Sequence, residues 1–300
     1  SFATAPAGKA DFAFSVWGDS QGSNHDTYPA DLMEPTKSMM AHMAGQVDFG
    51  VSAGDLCEDG RVYSSVKEHY LERVAKYLGP TTPWFNAWGN HDMEPNSIIR
   101  KFADMPSKER GAPYHAGYGN FSFDYAGCHF ICIDDDYPNN TDPERWDWKW
   151  VEDDLIKANA NGARFIFLFT HRAPFYERWY DGEAPVRDNL VPLMEKYGVD
   201  VCFSGHMHAY ERGYLNGIYY CVTGGGSWLD FPEPLVREWP HMTVGGYHDL
   251  EEGIRGGLVN EYVKVEVNKD GFVAKVFAFN PDGTLRERVV DTFSKQEPLK

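Results

Sequence analysis

The chain has 300 residues, a formal net charge of −17 and a composition that is 42% hydrophobic, which is enough for a large buried core. An acidic field of this size repels nucleic acids, whose binding depends on neutralising phosphate groups, so no nucleic-acid partner is expected. No run approaches the roughly 18 consecutive apolar residues of a membrane span. Any anionic ligand therefore needs a site that is locally positive.

One domain is expected to account for nearly the whole chain. Residues 1–11 form a loose polar lead-in, 12–293 form a single domain without an interdomain linker, and 294–300 form a tail. The lead-in lacks the apolar segment of a signal peptide, and it fits either the remainder of a cleaved precursor or an arbitrary start. We favour a secreted or periplasmic location over a cytoplasmic one, and the oligomeric state stays undetermined.

Short apolar runs of strand length alternate with helix-like segments through most of the chain. Each of five runs ends in polar residues: 12–17 precedes Asp19 and Gln21, 47–53 precedes Asp55, 83–88 precedes Asn90, His91 and Asp92, 164–170 precedes His171, and 199–204 precedes His206 and His208. Helices are expected near 30–44, 61–78, 143–160 and 184–197. This alternation is typical of a mostly parallel α/β sheet.

The C-terminal part has a different pattern. Its apolar or alternating runs have little helix between them and lie at 217–225, 260–267, 271–280 and 284–293. Asp270-Gly271 and Asp282-Gly283 are turn signals, so we expect an antiparallel meander that completes a second sheet. The long segment 225–258 is rich in Trp and Pro, and we expect it to be a loop at the active site.

The cysteines are expected to lie in the core. Their number is odd, and their spacing fits neither a CxxC metal site nor a disulfide scaffold. Four of them, Cys128, Cys132, Cys202 and Cys221, lie in strand-like apolar runs, where cysteine acts as a small apolar residue. A disulfide between Cys202 and Cys221 is the alternative, because their two runs can be neighbours.

The polar residues that follow the five runs are expected to meet in one place. The functional crevice of a parallel α/β sheet lies outside the carboxyl ends of its strands. Residues i and i+2 of an extended segment point the same way, so Asp19 and Gln21 share a side, as do His206 and His208. Carboxylate, amide and imidazole groups together suit first-row divalent metals. The sequence therefore predicts a metal site.

These polar groups resemble the signature motifs of the calcineurin-like metallophosphoesterases. The motifs match in order and spacing over about 12–212, at Gly18 to Gln21, Gly54-Asp55, Gly89 to Asp92, His171 and Gly205 to His208. Residues 205–212 and 148–155 also resemble the purple acid phosphatase branch of this superfamily. The resemblance implies an α/β fold, a four-layer αββα sandwich with two mixed sheets.

The same resemblance implies a centre of two metal ions, with Mn, Fe or Zn as the expected elements. The first ion would be held by Asp19, Gln21, Asp55 and His208. The second would be held by Asp55, Asn90, His171 and His206, so that Asp55 bridges the pair.

Two positions depart from the family pattern. The first motif usually has a histidine where this chain has Gln21. The neutral amide carbonyl is a harder donor, so the first metal should bind more weakly and be a harder ion such as Mn or Fe. His25 is an alternative replacement for the missing imidazole. Purple enzymes carry a tyrosine where this chain has Glu58, so the protein is predicted to be colourless.

The resemblance implies hydrolysis of a small phosphorylated substrate by a metal-activated hydroxide. His91 is the expected acid or charge-stabilising group, with Asp92 orienting its imidazole, and a purely structural role for His91 is the alternative. Four residues are expected to contact the substrate: Asn90, Arg172, Tyr210 and Arg212.

The substrate class is left open between several functions. A phosphomonoesterase and a phosphodiesterase fit the motifs equally well, and the segment 225–258 is expected to control the room for a second ester group. One alternative is a non-catalytic metal- or phosphate-binding protein on the same scaffold, of which Gln21 would be the sign. Another is a hydrolase of phosphonates or phosphotriesters.

Overall fold

The computed structural model describes residues 5–6, 8–22, 34–92, 97–103, 105, 119–134, 147–251 and 253–297. The strands are β1 (Phe12–Trp17), β2 (Phe49–Ser52), β3 (Trp84–Asn86), β4 (Phe121–Tyr125), β5 (Cys128–Cys132), β6 (Ile166–Phe169), β7 (Val201–Ser204), β8 (Tyr210–Leu215), β9 (Ile218–Thr223), β10 (Met242–Val244), β11 (Asn260–Asn268), β12 (Gly271–Phe279) and β13 (Asp291–Gln296). The helices are α1 (Glu34–Met43), α2 (Tyr63–Ser65, continued by a π-helix over Val66–Leu78), α3 (Ile98–Phe102), α4 (Trp148–Ala160) and α5 (Ala184–Tyr197).

The four predicted helices correspond to α1, α2, α4 and α5. His25 and the expected helical residues 30–33 and 143–146 lie outside the described residues. In the part of the chain that the structure describes, no helix is both long and apolar enough to cross a membrane.

The strands form two mixed sheets. The first has the order β13-β12-β11-β1-β2-β3, in which β1, β2 and β3 are parallel and β11, β12 and β13 are antiparallel. The second has the order β10-β8-β9-β7-β6-β5-β4, in which β5, β6, β7 and β9 are parallel. The five predicted strands are confirmed as β1, β2, β3, β6 and β7, and they are divided between the two sheets.

Alternating side chains bury the central strands on both faces. In β6, Phe167 and Phe169 enter the core between the sheets, whereas Ile166 and Leu168 belong to the outer core that α4 and α5 cover. On the other side of the molecule, Trp17 of β1 packs in the outer core formed with α1 and α2. Burial on both faces explains why these strands are continuous apolar runs. The four-layer αββα sandwich is therefore confirmed.

The C-terminal meander exists, but its predicted place in a second sheet is wrong. The strands β11, β12 and β13 extend the first sheet, because β11 pairs with β1 and sets Val267 opposite Phe12. The predicted run 284–293 forms a strand only from Asp291, where β13 begins. Val263 and Val265 enter the central core from the same face of β11. The remaining run, 217–225, forms β9 and joins the second sheet beside β7. The strands β4, β5, β8 and β10 lie outside the predicted runs.

The interpretation of the cysteines as core residues is confirmed. All five are buried, and none forms a disulfide. Cys202 belongs to the outer core of the second sheet, whereas Cys221 belongs to the central core. Neighbouring strands therefore hold the two thiols on opposite faces, which excludes the alternative disulfide.

Candidate metal centre

The predicted ligands follow strands that come from both sheets. Asp19 follows β1, Asp55 follows β2 and His206 follows β7, and their backbones are left-handed, with φ of 56°, 56° and 71°. A non-glycine residue in this region costs about 1–3 kcal/mol, and such strain clusters at functional sites. The three turns bring their side chains to one point between the sheets, as the contacts described next show.

Two glycines allow this close approach of separate strand ends. Gly54 has a φ of 100°, and a Cβ atom at that position would lie 2.6 Å from Nδ1 of His171. A Cβ atom at Gly205 would collide with Oδ2 of Asp19. A side chain at either position would therefore push two ligand-bearing turns apart.

Asp19, Asp55 and His171 form the buried middle of the site. Each offers one ligand atom that lies within 4.8 Å of the others. Nδ1 of His171 donates to the carbonyl oxygen of Ala53 at 2.8 Å, which leaves the lone pair of Nε2 facing the site. That Nε2 lies 3.3 Å from Oδ2 of Asp55 and 3.1 Å from Oδ1 of Asn90.

Gln21 and His208 lie on the side of the site next to Asp19. Nδ1 of His208 donates to the carbonyl oxygen of Trp228 at 3.0 Å, and its Nε2 lies 3.4 Å from Oδ1 of Asp19. Nε2 of Gln21 lies 3.2 Å from Oδ2 of Asp55 and 3.3 Å from Nε2 of His208. Oε1 of Gln21 is buried without a hydrogen-bond partner among the described residues. Buried polar oxygens normally have a partner, so this oxygen is a candidate ligand atom for a metal ion.

His206 joins the group from the second sheet. Its backbone N–H donates to both carboxylate oxygens of Asp19, at 3.0 and 2.9 Å. Its ring centroid lies 5.1 Å from that of His171, and its Nε2 lies 3.4 Å from a guanidinium nitrogen of Arg172. The structure thus brings together every residue that the sequence predicts as a metal ligand.

Burial and charge place two of these groups in the form that binds metals. Burial raises the pKa of Asp55, but electrostatic interaction with the imidazoles of His171 and His91 outweighs this rise and holds the pKa well below its ordinary value. Burial lowers the pKa of His206 far below its ordinary value, and His171 and Arg172 lower it further. Ionised carboxylates and neutral imidazoles are the forms that coordinate metal ions.

The protein offsets only part of the cost of burying the ionised carboxylate of Asp19. Burial raises the pKa of its carboxyl, and the hydrogen bond with His208 offsets this rise only in part. A buried carboxylate in this situation is stabilised by a cation. Together with the unpartnered Oε1 of Gln21 and the mixed oxygen and nitrogen donors, this fits a site for first-row divalent ions.

His91 is held by Glu58. Nδ1 of His91 donates to the carbonyl oxygen of Glu58 at 2.7 Å, and a carboxylate oxygen of Glu58 lies 3.5 Å from the same nitrogen. The imidazole is 31% exposed, and the backbone N–H donates to Oδ1 of Asp55 at 2.8 Å. Burial lowers the pKa of His91, but the charge of Asp55 and the hydrogen bond to Glu58 outweigh it, so the pKa is raised.

Asp92 does not orient the His91 imidazole, so that prediction is corrected. Its carboxylate accepts the backbone N–H groups of Asp55 and Leu56 at 2.9 Å and that of Gly89 at 3.0 Å. Adjacent residues point to different sides, and Asp92 points into the protein beneath the site. Its role is to order the two turns that carry Asp55 and Asn90.

The predicted substrate contacts divide into two pairs. Asn90 and Arg172 lie at the site, next to His171 and His206 respectively. Two others lie away from it and share a partner: the hydroxyl of Tyr210 donates to Asp291 at 2.8 Å, and Nε of Arg212 donates to the same carboxylate at 2.6 Å. Those two predictions are wrong because the chain enters β8 after His208 and directs both side chains toward β13.

Two residues at the start of segment 225–258 support the site without having been predicted by name. Asp230 accepts the backbone N–H of His208 at 2.9 Å, and the ring centroid of Trp228 lies 3.9 Å from that of His208. The expected loop at the active site therefore begins at the metal centre. A single Trp and a single Asp within a long loop are too weak a signal to identify from sequence.

Comparisons with known proteins bear on the same residues. A family model described as calcineurin-like phosphoesterase matches residues 23–210. The match begins after Asp19 and Gln21, so the assignment of these two residues as candidate ligands rests on the contacts described above. Purple acid phosphatase 18 of Arabidopsis thaliana is 28% identical over 243 residues, which cover 76% of this chain and 48% of that protein. The chain thus spans about half the length of the curated relatives it matches.

Solved structures share the fold at low sequence identity. The purple acid phosphatase PPD1 from seeds of yellow lupin (Lupinus luteus) has a TM-score of 0.68 at 18% identity, covering 97% of this chain and 55% of that one. GAP50, the anchor in the inner membrane complex of Plasmodium, has a TM-score of 0.68 at 17% identity, covering 97% of this chain and 90% of that one. With the family match over more than half of its residues, the chain belongs to the calcineurin-like phosphoesterase family.

Proposed function

We propose that this chain hydrolyses phosphate esters at a centre of two divalent metal ions. The observation that carries the proposal is the meeting of five strand ends from two sheets, where Asp19, Asp55 and His171 hold ligand atoms within 4.8 Å of one another. Membership of the family and similarity to purple acid phosphatases support the same chemistry.

The contacts support a division of the ligands into two sets that share Asp55. One set contains Asp19, Gln21 and His208, and the other contains Asn90, His171 and His206. Oδ2 of Asp55 lies between them, 3.2 Å from Gln21 and 3.3 Å from His171. Bound divalent ions supply Lewis acidity, which makes water nucleophilic near neutral pH and neutralises charge on the phosphate oxygens.

Charge balance explains how an acidic chain attracts an anionic substrate. Asp19 and Asp55 carry two negative charges at most, which two divalent ions exceed. The loaded site is therefore locally positive, although the chain as a whole has a net charge of −17. Arg172, beside His206, adds a cation that can donate to phosphate oxygens.

His91 serves as the acid that protonates the leaving oxygen. Its Nδ1 is engaged by the carbonyl oxygen of Glu58, so Nε2 is the nitrogen that gives or receives the transferable proton. The carbonyl oxygen and the carboxylate of Glu58 both stabilise the protonated imidazole, and neither is a metal ligand. Its partly exposed ring can reach a substrate from the solvent side.

The test combines metal analysis with two chromogenic substrates. The protein with added Mn²⁺ is assayed with 4-nitrophenyl phosphate and bis(4-nitrophenyl) phosphate, which also separates monoesterase from diesterase activity. We expect two metals per chain and turnover, both lost in Asp55→Asn and both kept in the control Asp270→Asn, an exposed turn residue. If the protein binds two metals and hydrolyses neither ester, the proposal is overturned.

A non-catalytic binding protein on the same scaffold is the second candidate function. The observation that favours it is Gln21, whose amide stands among the ligands of the first ion. This candidate predicts one metal or none, no turnover of either nitrophenyl ester, and binding of inorganic phosphate that Arg172→Gln weakens. The same preparation of protein therefore distinguishes the two functions.

A further inference from the structure

An exposed indole ring stands beside His206 and His208. The ring centroid of Trp179 lies 5.7 Å from that of His206, with the ring planes at 86°, and 6.3 Å from that of His208. Trp179 is 39% exposed. By contrast, nearby Tyr176 is buried and its hydroxyl donates to the carbonyl oxygen of Gly205. Tyr176 is a packing residue, whereas much of Trp179 remains open to solvent.

The backbone of Trp179 is held in an unfavourable conformation. Its φ is 65°, a left-handed value that bulky residues rarely adopt. Such a conformation costs about 1–3 kcal/mol and persists only where the surrounding structure holds it. A position that needed no side chain would be expected to carry glycine there. Trp179 therefore presents its ring beside His206 in spite of this strain.

Hydrogen bonds of the two preceding residues, Glu177 and Arg178, hold the backbone that leads into Trp179. The guanidinium of Arg178 is buried and donates to the carbonyl oxygens of Phe231 at 2.5 Å and Gly256 at 3.0 Å. The carboxylate of Glu177 accepts the backbone N–H groups of Trp239 at 2.6 Å and Tyr247 at 2.7 Å. These bonds tie the segment before Trp179 to the loop 225–258 at four places. The backbone that carries the ring is thus held in place, and the ring itself lies against His206 and His208.

We propose that Trp179 selects substrates whose leaving group is planar and aromatic, by stacking against that group beside the metal centre. The inference rests on the proposed hydrolysis of phosphate esters. Stacking of a planar ring on an aromatic side chain is tolerant of the ring's identity, so aryl alcohols and nucleosides belong to the same substrate class. An uncharged aromatic group also adds affinity without adding negative charge, which suits a chain with a net charge of −17.

The test uses two ligands that contain no phosphoester bond and are therefore not substrates of the proposed reaction. Phenylphosphonate and methylphosphonate share the phosphonate head group and differ in the group that Trp179 would contact. Their affinities for the Mn²⁺-loaded protein are measured by isothermal titration calorimetry. We expect phenylphosphonate to bind about tenfold more tightly, in the range that stacking supplies. The ratio should fall to about one in Trp179→Ala and be kept in large part in Trp179→Phe.

Two further variants keep this test decisive. Trp179→Gly relaxes the left-handed backbone, so it removes the ring without adding strain if Trp179→Ala folds poorly. Tyr214→Ala removes an aromatic side chain that is similarly exposed, at 44%, in β8, and it should keep the tenfold preference. An unchanged preference in the Ala or Gly variant of Trp179 would overturn the inference. Failure of both phosphonates to bind the unaltered protein would overturn the proposed function, and this inference with it.

Discussion

Nε2 of Gln21 lies 3.3 Å from Nε2 of His208, within the cluster of metal ligands. A neutral amide therefore stands where the family pattern has an imidazole, and its buried Oε1 has no hydrogen-bond partner among the described residues. An amide oxygen is a harder and weaker donor than an imidazole nitrogen. The two metal positions are thus predicted to differ in affinity, with the position at Gln21 the more exchangeable one.

Replacing the amide by the family's imidazole tests this asymmetry. In Gln21→His we expect the weaker position to gain roughly tenfold in affinity for Zn²⁺, a size typical of changes around a metal ligand. Equilibrium dialysis with elemental analysis counts the metals per chain as free Zn²⁺ is lowered. The control is Gln46→His, because Gln46 is exposed and its side chain donates to the backbone carbonyl oxygen of His42. Equal release of both metals from the unaltered protein would contradict the prediction.

Removing the His91 imidazole should separate chemistry from metal binding. The ring contacts Glu58 rather than the metal ligands, so His91→Ala is expected to keep its metals while turnover falls roughly 10²-fold. Turnover of 4-nitrophenyl phosphate and metal content are measured on the same sample. His248→Ala is the matched control, since the side chain of His248 is 42% exposed and pairs with Glu238. Unchanged turnover in His91→Ala would remove His91 from the mechanism and leave it a structural residue.

The position of the ligands could be predicted because strand ends are local features of the sequence. Asp19, Asp55 and His171 each follow a short apolar run, and parallel strands place their carboxyl ends at one edge. The seven predicted ligands meet because two sheets present that edge to the same point. Family membership is confirmed over 23–210, which contains the four later motifs but not the motif with Asp19 and Gln21.

Pairing between distant strands could not be predicted from local patterns. Phe12 lies opposite Val267, and nothing in either run specifies the other as its partner. Two predictions are wrong for this reason: the sheet assigned to the C-terminal meander, and the substrate contacts assigned to Tyr210 and Arg212. Tyr210 is two residues from a ligand in sequence, but its hydroxyl meets Asp291, whose position depends on how β13 joins the first sheet. Closeness to a motif in sequence therefore does not predict which side chains reach the site once the chain has entered a strand.

Asp92 should matter more for stability than for proton transfer. Its buried carboxylate accepts three backbone N–H groups. Asn at this position would replace one of the two accepting oxygens by an NH₂ group, which is itself a donor and would face a donor. We expect Asp92→Asn to lower the free energy of unfolding by about 1–3 kcal/mol and to weaken metal binding by displacing Asp55. Urea unfolding measures the first effect and elemental analysis the second. A change within about 0.5 kcal/mol, as expected of the exposed control Asp270→Asn, would show that Asp92 does not order the turns.

A buried histidine that is not a metal ligand, His129, should make stability depend on pH. Nδ1 of His129 lies 2.8 Å from Asp124 and Nε2 lies 2.9 Å from Asp154. Burial lowers the pKa of His129, but these two carboxylates outweigh it and raise the pKa to about 9. Because the folded pKa lies above the ordinary value of 6.5, the stabilisation is complete below pH 6.5 and is lost as the pH rises through 9.

The size of this effect is at most about 3 kcal/mol, from the difference between the folded and ordinary pKa values. Urea unfolding of the unaltered protein and of His129→Gln at several pH values between about 6 and 10 measures it. The difference in free energy of unfolding between the two proteins should be largest at the acidic end and should shrink as the pH rises. The exposed control His248→Gln should show no such trend. A difference that stays constant over this range would mean that His129 is neutral in the folded protein and that its carboxylate neighbours act as hydrogen-bond acceptors alone.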